Sequence, residues 1–182
     1  MKPNAVMIDI ETLSTDPEAV VLSIGAVRFN TNDTPGEFSD EFYSVLELDS
    51  QKALDRSISK STMQWWERQS ADAREILTTT DRRNTKEALM GLHPFMSDMK
   101  VWGNGSDFDN VIMTSLFRDY GIPCPWNFWD NRCFRTFKSE FKGLIAAPAF
   151  RGEKHNALDD AKHQAEHLQM IFAALKAVGG AM

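Results

Sequence analysis

At 182 residues, 42% hydrophobic and 25% charged, the chain has the length and balance of one medium-sized globular domain able to bury a core. Its net charge of −6 argues against a protein that grips nucleic acid by bulk electrostatics alone. The start MKPNAVMIDIE lacks signal-peptide architecture, no run reaches the roughly 20 apolar residues of a bilayer span, and two cysteines (Cys124, Cys133) make no disulfide framework, so a reducing cytoplasm is the expected setting.

Ala5 to Ile10 is almost continuously apolar and predicts a strand covered on both faces. Val20–Asn30 and Gly36–Leu46 read as the next two strands. Asn32, Asp33 and Pro35 between them are turn formers, so the three strands form an antiparallel meander. Residues 49–98 read as mainly helical, with breaks near 57–61 and 78–84. Lys100–Gly103 reads as a short strand leading into a helix on which Phe108, Val111, Ile112, Leu116 and Phe117 share a face, stopped by Gly121 and Pro123. Trp126–Asp130 reads as another strand, followed by a helix to about Phe141. Residues 131–154 carry six basic side chains against two acidic ones, a local +4 that is either a solvated face or a seat for a phosphate backbone. In the last helix Leu158, Ala161, Ala165, Leu168, Phe172 and Leu175 recur at spacings of three and four. Without repeat or linker, residues 1–182 read as one domain. The expected fold is α/β, a mixed sheet of meander and parallel strands flanked by helices.

The first strand raises a chemical question. Asp9 and Glu11 in VMIDIETLS stand two residues apart and so emerge on one face. Two like charges buried together need a positive partner unless they reach solvent at the strand end. More acids open two later helices: Asp107 and Asp109 in NGSDFDN, Asp159 and Asp160 in HNALDDA. Ser106 with Asp109, and Asn156 with Asp159, have capping-box spacing, and acids suit helix N-termini. Capping accounts for Asp159; for Asp109 capping and chemistry compete. Asp160 fits no cap and lies about 100° round the helix from Asp159, at the edge of the apolar stripe. His155 alone among the four histidines accompanies a motif. His163 and His167 fit the solvent side of the last helix, and His93 has no acidic neighbours.

DIET, NGSDFDN and HNALDDA, in this order, resemble the three motifs of the DEDDh 3′–5′ exonucleases, including the H-x4-D spacing of the third. The resemblance spans Met7 to Ala174 and implies a ribonuclease H-like fold. It implies metal ligands at Asp9, Glu11, Asp109 and Asp160 and a general base at His155; Asp109 rather than Asp107 is selected because the family acid follows the aromatic residue. Gly103-Asn104-Gly105 departs from the strand end of many members. STMQWWERQS further resembles the W-x-x-Q region of the branch containing ribonuclease AS and phage exonuclease A-type enzymes, which makes Trp66 and Gln69 candidates for holding the terminal base. Met63, Trp65 and Trp66 read equally well as helix-packing residues.

Hard oxygen ligands without a Cys or multi-His set suit Mg²⁺ or Mn²⁺. The implied mechanism places two ions about 3.5 to 4 Å apart on the scissile phosphate. Asp9 would bridge them, and Glu11 and Asp160 would complete the first site. Asp109 would support the second, and His155 would take the proton of the attacking water, since an imidazole titrates near neutrality. The expected activity is release of 5′-mononucleotides from single-stranded 3′ ends of DNA or RNA, with the terminal base laid against Trp66 or Phe108. The alternatives are a ribonuclease H-type endonuclease and a nucleic-acid-binding module without catalysis. A homodimer is an admissible assembly.

Overall fold

The computed structural model describes residues 1–179. Five strands form one sheet: β1 (Ala5–Thr12), β2 (Val21–Phe29), β3 (Asp40–Val45), β4 (Lys100–Gly103) and β5 (Asn131–Cys133). Their order is β3-β2-β1-β4-β5. The first three strands pair antiparallel as the expected meander, and β4 and β5 add in parallel on the other side of β1. β1 is thus central, which explains its nearly uninterrupted apolar run.

The helices are α1 (Asp49–Lys52), α2 (Lys60–Trp66), α3 (Ala71–Thr78), α4 (Thr85–Met96), α5 (Asp109–Asp119), α6 (Phe134–Glu140) and α7 (Ala157–Gly179). Ser59, Ser70 and Asn84 accept hydrogen bonds at the starts of α2, α3 and α4. These caps set the breaks in the helical region, including one at 67–70 that hydrophobic periodicity does not reveal. None of the helices among the described residues is long and apolar enough to cross a membrane.

Strand alternation divides the core into two layers. Val6, Ile8 and Ile10 pack against Leu89 and Leu92 of α4 and Ile112 and Leu116 of α5. Ala5 and Met7 face the other way, against Phe134 of α6 and Ala161, Ala165 and Leu168 of α7. Asp9 and Glu11 continue this second face, so the register of β1 delivers both carboxylates beneath the start of α7.

Two expectations are corrected. Trp126–Asp130 is no strand: Phe128–Asp130 form a 3₁₀ turn, and the strand is the following polar triplet. Asn131 is fixed there because its Oδ1 accepts from Trp126 Nε1 (2.8 Å) and Asn110 Nδ2 (2.9 Å). His163 and His167 do not face open solvent. They are half-buried against Phe150 and Phe134, with ring centroids 5.0 and 5.6 Å apart, beneath the segment that precedes α7. Both cysteines are free.

Candidate active site

Two glycines bring the acids together. Gly25 lies opposite Asp9 on β2, and a Cβ there would sit 2.1 Å from the Ala157 carbonyl carbon. Without that side chain, the first turn of α7 rests directly on the sheet and lowers Asp160 towards Glu11. Gly103 ends β4, and a Cβ there would sit 2.4 Å from Asn110 Oδ1 and 2.9 Å from Asp109 Cβ. It lets the start of α5 close over the sheet with Asp109. The departure at Gly103 is therefore a packing requirement of the acid beside it. Pairing between β1 and β2 becomes irregular at Glu11/Thr12, and such bulges re-aim side chains at strand ends.

Asp9, Glu11, Asp109, His155 and Asp160 all line one open cleft of about 620 Å³. Ligand atoms of Glu11, His155 and Asp160 lie within 4.8 Å of one another. Asp107 is exposed and outside this lining. Burial pushes the Asp9 carboxyl well above the usual range, aided by the charges of Asp109, Glu11 and Asp160. Burial, then the charges of Asp160 and Asp109, do the same to Glu11. Asp109, 3% exposed, is raised by burial to about 7 although nearby backbone amides and Arg135 oppose the shift. Asp160 is raised by burial against the pull of the His155 amide and imidazole. Four carboxylates strained in this way, with a histidine among them, form a hard, oxygen-rich donor set that fits a divalent cation.

The third motif is held by its own backbone. His155 has φ +65°, a left-handed conformation uncommon outside glycine, and its N–H donates to Asp160 Oδ2 at 2.8 Å. The carboxylate thereby fixes the turn that carries the imidazole. Asn156 Oδ1 caps α7, accepting from Leu158 and Asp159 N–H. Asp159 does not complete a capping box: its Oδ2 accepts from Glu153 N–H at 2.9 Å and pins the loop before His155. Nor does Ser106 pair with Asp109, since α5 begins without a side-chain cap.

Gln164, one turn beyond Asp160, is 6% exposed and donates from Nε2 to Asp9 Oδ1 at 2.8 Å. Sequence reasoning missed it; the available signal is an amide at Asp160 plus four, on the same helical face. The base-holding candidates need correction. Trp66 is fully buried and donates to the Thr12 carbonyl at 2.9 Å, which makes it a support for the end of β1. Gln69 folds back onto the Trp65 carbonyl at 2.9 Å and does not reach the cleft. Trp65, with ring centroid 4.9 Å from that of His155, and Arg68 line the cleft instead, together with Phe108.

A family model described as the 3′–5′ exoribonuclease Rv2179c-like domain matches residues 4–172. An exodeoxyribonuclease of Enterobacteria phage T4 is 28% identical, the match covering 71% of this chain and 68% of the phage protein. The zinc-bound structure of E. coli exonuclease I with single-stranded DNA gives a TM-score of 0.65 at 14% identity, covering 98% of this chain and 41% of that one. The nuclease domain of 3′hExo, a DEDDh family member bound to rAMP, gives 0.55 at 15% identity, covering 97% and 92%. At such identities the likeness shows the fold, the ribonuclease H-like fold of DEDDh exonucleases. The chain spans about two-fifths of the exonuclease I chain, 41% of its length.

Proposed function

The chain belongs to the family of 3′–5′ exoribonuclease Rv2179c-like domains, and from that premise we propose that it releases 5′-mononucleotides from single-stranded nucleic acid 3′ ends with Mg²⁺ or Mn²⁺. The observation that carries the reading is the meeting of Asp9, Glu11, Asp109, Asp160 and His155 in one cleft, with carboxyl pKa values raised by burial and, at Asp9 and Glu11, by mutual repulsion. Asp9, Glu11 and Asp160 would hold one cation, and Asp9 with Asp109 a second. Bound cations supply a water of lowered pKa and neutralise charge on the scissile phosphate.

The chain's own residues do the rest. Gln164 holds one oxygen of Asp9 and fixes how its carboxylate is presented. His155 accepts the proton of the attacking water, and Asp160 holds its backbone in place. Trp65 and Phe108 offer aromatic faces to the terminal base, which a single-stranded end can reach and a stacked duplex end cannot. Arg68 and Arg135, both exposed at the cleft, bring positive charge to an acidic protein where the phosphates arrive. One chain contributes every residue of this reading, within a single domain.

Mononucleotide release from matched DNA and RNA oligomers, with Mg²⁺, Mn²⁺ or EDTA, tests the proposal. Release with either metal and none in EDTA is expected, and the relative rates assign the sugar. Cleavage of oligomers blocked at their 3′ ends would instead mark an endonuclease.

A further inference from the structure

A second cavity of about 400 Å³ adjoins the cleft and shares Asn104, His155, Asp160 and Gln164 with it. Its volume falls within the roughly 300–1,000 Å³ range of small-molecule sites. Lys138 of α6 and Lys154 of the segment before α7 line it, with His163, His167, Phe134 and Phe150. Asp160, already assigned to a cation, is the sole carboxylate in that lining. Neither lysine has an ion-pair partner among the described residues. Lys138 Nζ lies 4.9 Å from the centre of the Phe134 ring and reaches only the neutral Asn104 Oδ1, at 3.2 Å. His163 Nδ1 is buried without a hydrogen-bond partner. Positive charge is therefore collected at the wall of the acidic cleft and left uncompensated.

We propose that this chamber seats a phosphate of the strand upstream of the scissile bond, gripped by Lys138 and Lys154. The proposal rests on the exonuclease reading, which puts the terminal phosphodiester at the carboxylates. A strand leaving that point carries one phosphate per nucleotide, and lysines at a fixed distance from the carboxylates set its register without reading sequence. Burial and the neighbouring Arg135 already press Lys138 towards losing its proton, a tension that an incoming phosphate relieves. The locally basic segment 131–154 thereby acquires a role that net charge conceals. The phosphate of a released mononucleotide has the same chemistry, so the test must tell the two apart.

Lys138→Gln, Lys154→Gln and the double variant are compared with the unaltered protein on a dinucleotide and an octamer in Mn²⁺. The double variant is expected to lose about tenfold more kcat/KM on the octamer than on the dinucleotide. Its salt dependence should be less steep by about 0.7, the contribution of one phosphate contact on a single strand. Equal losses at both lengths with an unchanged salt slope would overturn the proposal. Weaker inhibition by a 5′-mononucleotide, with length preference retained, would make the chamber a product seat and equally overturn it. Binding of a 5′-fluorescein octamer in EDTA decides the matter without turnover. There the double variant should bind about tenfold more weakly, and equal affinity would sink the chamber. If the unaltered protein releases no nucleotide while this difference in binding persists, the exonuclease reading falls and the phosphate seat stands.

Discussion

Asp109 lies 3% exposed beside other acids, with its pKa raised by burial to about 7. A carboxyl whose folded-state pKa exceeds its unfolded value near 3.8 favours the folded state while protonated, and that stability is lost as pH rises through the folded pKa. The metal-free protein should therefore lose stability between about pH 4 and 7, and Asp109→Asn should flatten that part of its Tm–pH curve. Added Mn²⁺ should raise Tm more at pH 8 than at pH 5.5, because ligands must be ionised. A Tm–pH curve identical in the variant and the unaltered protein would contradict this assignment of charge. The adjacent tryptophans make a second test. Trp65→Ala should weaken binding of the terminal base by about 1 to 3 kcal/mol with little change in Tm. Trp66→Ala should lower stability by about 3 to 5 kcal/mol, because it empties a core site and frees the Thr12 carbonyl. The reverse pattern would restore Trp66 to the cleft. The resemblance singled out Trp66, whereas the structure buries Trp66 and lines the cleft with Trp65. Adjacent residues differ by about 100° on a helix, and in seven-residue α2 the choice is made by a carbonyl at the end of β1, some fifty positions away in the chain.

At the scale of elements, site geometry depends on how closely α7 and α5 approach the sheet. Gly25→Ala would place a methyl carbon 2.1 Å from backbone, which no rotamer can relieve. A stability loss of at least the 1 to 3 kcal/mol usual for overpacking is expected. Activity should fall further than stability explains, because Asp160 is carried away from Glu11. Metal titration at a temperature where the variant remains folded checks this; unimpaired affinity would separate the glycine from the site. Long periodic elements were legible: β1, the meander and α7 all stand where pattern places them. The polar triplet of β5 was not, since its strand conformation comes from pairing with β4 and from the hydrogen bonds to Asn131. The aromatic run before it looked more like a strand, yet Phe128 and Trp129 are 80% and 60% exposed. His163 and His167 were misplaced for a related reason: helical phase puts them off the main stripe, while the irregular segment that covers them has no periodic signal.

At the scale of the whole molecule, charge is separated by structure. A chain of net charge −6 gathers acids at the junction of β1, α5 and α7 and basic residues on the adjoining α6 and the loop before α7. Bulk composition averages these regions and hides both, whereas motif order, which carries the resemblance, preserved the acidic one. The central claim is that this junction removes nucleotides singly from a 3′ end with the help of cations. The most direct measurement is the time course of a 5′-labelled single-stranded oligomer in Mn²⁺, resolved at single-nucleotide length, for the unaltered protein and for Asp9→Ala. The unaltered protein should produce a ladder that shortens one nucleotide at a time from the 3′ end, and the variant should leave the oligomer intact. Internal fragments appearing before the full-length band shortens, or an unchanged ladder in Asp9→Ala, would contradict the account.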